Sequence, residues 1–207
     1  MKDMDEDTYD FGSFFEMREL EEVESIAEIK PRLLKKQIKA ELIKKMRREK
    51  AAEILTALPA PGEEFHIVSN GSFDYFDFIP ILISLAGPAS RGYFSTWTLN
   101  RQNCLDLLKL HDDGKLESIH FLAGDYFKKR ETAVYTTLVE GVTVRGGRVK
   151  THANHAKIAL LQCGENHLVM EGSANFTANP RVEQNIIANS KQLFEFHESW
   201  IKEIFRG

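Results

Sequence analysis

The stretch from His155 to Asn175, HAKIALLQCGENHLVMEGSAN, limits what this chain can fold into more than any other segment. Its two halves are apolar enough to be buried, and CGENH between them has the composition of a hairpin turn. The two halves are therefore expected to be antiparallel neighbours. Residues two apart on a strand share a face, so His155 is expected to point with Lys157, and Ser173 with Asn175. The hairpin then brings both polar pairs to its open end. Glu183 and Asn185, which begin the next strand after the loop FTANPR, return to that end as well. Polar groups taken out of water cost free energy unless they are paired, so this clustering calls for a chemical reason.

The rest of the chain supplies a scaffold. From residue 64 to about 139, strand-like and helix-like segments alternate: EFHIVS at 64–69, DYFDFIPILISLAG as a helix ended by Gly87 and Pro88, RGYFSTW at 91–97, a helix at 101–111, KLESIHFLA at 115–123 and a helix at 125–139. That order predicts an α/β sandwich around a mixed, largely parallel sheet. After Gly141 the segments VTVRGGRV, HAKIALLQC, NHLVMEGS and EQNIIANS read as strands with little room for helices, and 191–205 as a closing amphipathic helix. Ahead of this domain, expected at 61–207, stands a charged helical extension at 1–60, separated from it by the breaker LPAPGEE.

The extension is a charge dipole. Met1–Glu28 holds eleven acids against two bases, whereas Lys30–Lys50 holds ten bases against two acids. Apolar residues at helical spacing across 16–57 predict one or two amphipathic helices, with Pro31 starting the second. Three readings of its basic face stand side by side: a solvated surface, contact with a phosphate backbone, and pairing with a second copy of the chain. The overall net charge of -4 does not mark the whole protein as a polyanion binder.

Composition excludes other classes. The start MKDMDEDTYDFG lacks the apolar core of a signal peptide. The longest apolar run, 76–86, contains Asp77 and Pro80 and is too short for a bilayer, which takes ~20 residues. Cys104 and Cys163 lie singly in apolar contexts without metal-ligand spacing, which points to inert core thiols in a reducing, cytoplasmic setting.

An imidazole, an ammonium, an amide, a hydroxyl and a carboxylate at one point suit phosphodiester transfer. The imidazole attacks phosphorus, cationic and amide groups hold the non-bridging oxygens, and a carboxylate on the second ring nitrogen steadies the imidazolium. No metal or other cofactor is needed for this chemistry. HAK at 155–157, GSAN at 172–175 and Glu183 resemble the HxK...GSxN...E signature of the phospholipase D superfamily, and most closely its small bacterial nucleases with a single motif copy. FHIVSNGSFDYFDFIPIL is also similar to phage and prophage members.

The resemblance implies roles position by position. His155 would form a phosphohistidine, Lys157 and Asn175 would bind phosphate oxygens, Ser173 would support the phosphate or the histidine, and Glu183 would orient the ring of His155. Two departures stand out: Gln162 occupies the place of the family's aspartate, and the spacing from Asn175 to Glu183 is short. The family's mechanism uses two histidines, and this chain has a single HxK, so the resemblance implies a homodimer sharing one site. The implied activity is cleavage of nucleic acid, DNA in particular, with no membrane partner. Two other classes remain, a non-catalytic dimer binding nucleic acid or protein, and a phospholipid phosphodiesterase.

Around the motif, Arg145, Arg148 and Lys150 are expected to guide an anionic substrate, with a polar hairpin tip as the alternative. His152 reads as a solvated loop residue, and Tyr93, Phe94 and Trp97 as core. Asp74 and Asp77 open a helix, where the dipole favours acids, and receive no chemical role.

Overall fold

The computed structural model describes residues 31–177 and 181–207, in side-chain detail from Leu42 onward. The acidic run and the expected helix before Pro31 lie outside the described residues. Lys44–Gly207 form one compact unit, and the residues up to Ile43 group separately. Helix α1 (Pro31–Ile54) runs through this division. Pro31 stands at its first position, where a missing N–H costs nothing and the fixed φ suits a helix.

The basic face of α1 is partly tied down. Arg48 donates to Asp106 at 3.2 Å and lies 3.7 Å from the buried Asp77, and Lys44 also pairs with Asp106. Lys45, by contrast, stays in solvent beside Glu49.

Seven strands form one sheet: β1 (Glu64–Ser69), β2 (Arg91–Thr96), β3 (Ile119–Gly124), β4 (Arg148–His152), β5 (Ile158–Cys163), β6 (Asn166–Gly172) and β7 (Glu183–Asn189). Their spatial order is β1-β7-β6-β5-β2-β3-β4. The sandwich and the mixed sheet match the expectation, but parallel pairing is confined to β2–β3 and β3–β4. The other four neighbours run antiparallel. The reason is connectivity: helices join β1 through β4, whereas β5 and β6 share a two-residue turn with Gly164 at φ 56°. Strand β1 contributes to the antiparallel half by pairing with β7 instead of with β2.

The helices differ from the expectations in three places. The first helical segment opens as a 3-10 turn, Tyr75–Asp77, capped by Asp74, and continues as α2 (Phe78–Ala86). Pro80 is tolerated there because it falls in the first turn. After α3 (Arg101–Asp112), the single helix expected at 125–139 is two, α4 (Asp125–Arg130) and α5 (Thr132–Thr143), interrupted at Glu131. The segment VTVRGGRV is not a strand. Its first residues finish α5, Gly146 turns the chain at φ 72°, and β4 starts only at Arg148. Helix α6 (Lys191–Arg206) closes the chain, capped by the Ser190 hydroxyl accepting from the Leu193 N–H.

The sheet separates two apolar layers by the period-two alternation of its strands. Phe94, Phe121, Ala159, Leu161, Met170 and Ile187 face α2 to α5. Tyr93, Leu122, Leu160, Val169 and Ala188 face Phe194, Ile201 and Phe205 of α6. Cys104 and Cys163 are free and buried in the first layer, and burial pushes each thiol up to about 11. Among the described residues, no helix is long and apolar enough to cross a membrane.

Candidate active site

The carboxyl end of β2 meets the start of β5, since Ser95 pairs with Ile158 across the antiparallel ladder while β3 runs parallel on the other side. This change of direction leaves a gap beyond the strand ends, the place where open α/β sheets collect ligands. His155 and Lys157 enter that gap on an extended segment just before β5, and Ser173 and Asn175 leave β6 just past its last residue. All four lie outside the strands proper, yet the register carries the expected convergence. Ile158 pairs with Glu171, and the Gly172 N–H donates to the Lys157 carbonyl at 3.3 Å.

Lys157 is 6% exposed although it bears a charge. Its ammonium lies 2.7 Å from Nδ1 of His155 and donates to the His155 carbonyl at 2.6 Å. An ammonium can only donate, so the ring nitrogen that meets it accepts; Nδ1 is the nearer of the two, with Nε2 at 3.4 Å. Burial pulls the Lys157 ammonium below the ordinary lysine range, with the charge of Glu183 opposing. His155 itself is exposed, so its ring is accessible to substrate.

Ser173 ties the loop after β6 to β7. Its hydroxyl donates to the Glu183 carboxylate and accepts from the Gln184 N–H at 3.1 Å, and its own N–H donates to the Gln184 carbonyl at 2.9 Å. Asn175 accepts at Oδ1 from the Thr96 hydroxyl at 3.3 Å, which joins it to the end of β2. The structure thus gathers His155, Lys157, Ser173, Asn175 and Glu183 at the ends of β2, β5, β6 and β7. Lys157 and Ser173 line an open cavity of about 450 Å³ together with Ala156, Ile158, Glu171, Gly172, Gln184 and Ile186.

Further residues support the site, and of these Asn154 and Asn103 escaped the sequence reading. Asn154 accepts from the Ala156 N–H at 3.0 Å and donates to the Ser95 hydroxyl at 3.0 Å, which fixes the turn that presents His155. An asparagine two residues before a turn amide is a recognisable Asx signal. Asn185 is 1% exposed and accepts from the Ala174 N–H. Gly172 lies so near β7 that an added Cβ would come to 2.7 Å from the Asn185 Cα, and closer still to Asn185 Oδ1 and the Gln184 carbonyl. Behind the loop, the Asn103 amide bridges the Asp74 carboxylate at 2.7 Å and the Phe176 carbonyl at 3.0 Å. Asp74, assigned no chemistry, therefore anchors the segment carrying Ser173 and Asn175. Burial is the main cause that pushes its carboxyl up to about 6.

The basic residues upstream sit elsewhere. Arg145 forms a two-pronged pair with Asp112 at 2.7 and 2.6 Å, between α5 and α3. Arg148 opens β4, donates to the Phe205 carbonyl at 3.1 Å and lies over the Phe205 ring, so it caps α6. Both stand at the end of β4 away from His152 and the site. Lys150 lies in mid-strand, half-buried and paired in register with Leu122. None of the three is brought to the pocket. Gln162 is likewise remote, near the far end of β5. Trp97 corrects the reading in the other direction: it is only partly buried, and its ring centroid lies 5.8 Å from that of His155.

Comparison with known proteins places this geometry. No family model and no curated protein sequence matches the chain. Among solved structures, a phospholipase D family member, Nuc from Salmonella typhimurium, aligns with a TM-score of 0.51 and 15% identity over 70% of this chain and 95% of that one. A polyphosphate kinase from Porphyromonas gingivalis aligns with a TM-score of 0.50 and 10% identity, over 69% of this chain and 26% of that one. The likeness is one of fold: this chain shares its α/β architecture with a phospholipase D family member.

Proposed function

We propose that the chain is a metal-independent phosphodiesterase that cleaves nucleic acid, DNA in particular, through a phosphohistidine intermediate. The observation that carries this reading is the buried Lys157 ammonium against the His155 imidazole, with Ser173, Glu183 and Asn175 at the same end of the hairpin. The Glu183 charge already offsets part of the cost of burying this cation, and a substrate phosphate adds a second anion within reach of its ammonium donors.

As the phosphate arrives, Lys157 shifts its donation from Nδ1 to a non-bridging oxygen, and Asn175 donates through its amide NH2 to another. With Nδ1 released, the ring proton moves to that nitrogen and Nε2 becomes the nucleophile. The lone pair of Nε2 attacks phosphorus, the phosphorus–oxygen bond to the leaving alkoxide breaks, and an acid protonates that alkoxide. Water then attacks the phosphohistidine and returns His155 free. Glu183, whose charge already acts on Lys157, offsets the positive charge of the imidazolium intermediate.

The acid is the remaining requirement. One HxK per chain implies that the second histidine comes from a second copy of the chain, across a two-fold axis. That histidine donates its proton to the alkoxide and later takes one from the attacking water. The buried thiols of Cys104 and Cys163 suit a reducing, cytoplasmic compartment.

The test is hydrolysis of single-stranded DNA in excess chelator by the wild-type chain and by His155→Ala. Cleavage by the wild type alone supports the reading. Binding of DNA with equal, negligible cleavage by both would replace it with a non-catalytic binding protein, and turnover of a phosphatidyl substrate but not DNA with a lipid phosphodiesterase.

A further inference from the structure

Beside His155, on the side of the gap bounded by β2 and α4, two aromatic rings lie one upon the other. Trp97 and Tyr126 are parallel within 3°, with centroids 5.1 Å apart. Packing in the core does not require this pair, because Tyr126 leaves 49% of its surface in water. The pair therefore keeps aromatic surface in water next to the Trp97 ring that borders His155, open to stacking by a flat ligand.

The local backbone is shaped to seat the indole. At Gly124, the end of β3, a Cβ would come to 3.0 Å from Cδ1 of Trp97 and 3.1 Å from the carbonyls of Trp97 and Asn154. Any other residue there would push the ring or the turn that carries His155. Trp97, Thr98, Tyr126, Phe127, Arg130 and Glu131 line a recess of about 190 Å³.

Cations stand near the rings. Helix α4 ends in Lys128, Lys129 and Arg130, all exposed, and the Arg130 guanidinium lies 5.9 Å from the Tyr126 centroid. Flat π-surfaces with cations nearby are what single-stranded nucleic acid needs: the rings stack on bases and the cations attract the backbone. An acyl chain would gain nothing from the guanidinium, and paired bases in a duplex do not offer their faces.

We propose that Trp97 and Tyr126 form a stacking subsite for an unpaired nucleobase flanking the phosphate at His155, with Lys128, Lys129 and Arg130 guiding the strand. The inference rests on the nucleic-acid reading above and narrows its substrate to single strands or unpaired segments.

The experiment uses the full chain carrying His155→Ala, so that bound strands are not cut. Two single-stranded probes of equal length and charge are titrated by fluorescence anisotropy, one with thymine bases and one abasic throughout. The base-bearing strand is expected to bind about tenfold tighter, the scale of stacking one base on an aromatic ring. Adding Tyr126→Ala should remove that preference, and Tyr126→Phe, which keeps the ring, should retain it. Because Tyr126 is half exposed, circular dichroism of the variants is expected to match the parent. A base preference untouched by Tyr126→Ala, or none in the parent, overturns the subsite while leaving the nucleic-acid reading intact. Failure of both probes to bind overturns the nucleic-acid reading and the subsite with it.

Discussion

Replacing Gly172 with alanine tests whether the motif loop is positioned by close approach of β6 and β7. The φ of Gly172 is not in the left-handed region, so the variant adds no backbone strain of its own and isolates the contact. Its Cβ would meet Asn185 Cα at 2.7 Å, whereas carbons at rest lie roughly 3.5–4.0 Å apart. The strands must therefore open by about 1 Å. Two of the three nearest atoms belong to backbone that is also paired to β1, through Asn185 with Ile67 and Gln184 with Val68, so β7 cannot simply step aside. Overpacking of this kind costs ~1–3 kcal/mol, which for a domain of this size lowers Tm by roughly 2–12 °C. Activity should fall further than stability, because Ser173 and Glu183 adjoin the displaced residues, and a 1 Å misplacement at a reacting centre costs about 100-fold. Thermal unfolding by circular dichroism and kcat/KM on single-stranded DNA read the two effects. A variant that melts within a degree of wild type and retains its kcat/KM would refute the close-approach argument.

Two further outcomes follow from the charges. Lys157→Met keeps an unbranched stem as far as Cε and removes the ammonium, so kcat/KM should fall about 100- to 1,000-fold, the effect of losing one donor to a developing oxyanion. Because burial lowers the Lys157 ammonium below the ordinary lysine range, the wild-type activity should decline on the alkaline side earlier than a solvent-exposed lysine would allow, and a pH profile of kcat/KM reads this directly. Asp74 gives a stability signature: its carboxyl, ordinarily near 3.8, is raised to about 6. The folded chain therefore holds a proton between about pH 4 and 6 that the unfolded chain releases, and stability from this group is greatest below that window and is lost as pH rises through it. The shift of about 2 units corresponds to ~3 kcal/mol. Denaturant unfolding from pH 4 to 7 should show this fall in wild type and a flatter curve in Asp74→Asn.

The hairpin was legible because its signals are local. Apolar runs, the Gly164 turn and period-two spacing fix the register that brings the Lys157 and Gly172 ends together. Strand β1 next to β7 was not legible, since pairing between segments about 120 residues apart leaves no periodic mark on either. VTVRGGRV misled because β-branched residues also finish a helix when tertiary packing favours it, as Val142 does by burying itself completely in α5. Arg145, Arg148 and Lys150 were close to the motif in sequence only: Asp112 and the end of α6 take up the two arginines at the opposite end of the strand. Trp97 looked like core because a strand-end tryptophan carries the same composition whether it is covered or borders a site. What sets it apart is Gly124, brought alongside by the parallel register of β2 and β3.

The proposed mechanism requires His155 to become covalently attached to phosphorus. Wild-type chain mixed with single-stranded DNA in excess chelator, quenched within one turnover at alkaline pH and digested, should yield a nucleotidyl adduct on the peptide containing His155. The adduct should form and decay at the rate of turnover, be lost in acid, and be missing from His155→Ala. Turnover with His155 unmodified throughout, or cleavage by His155→Ala at the wild-type rate, would contradict the account.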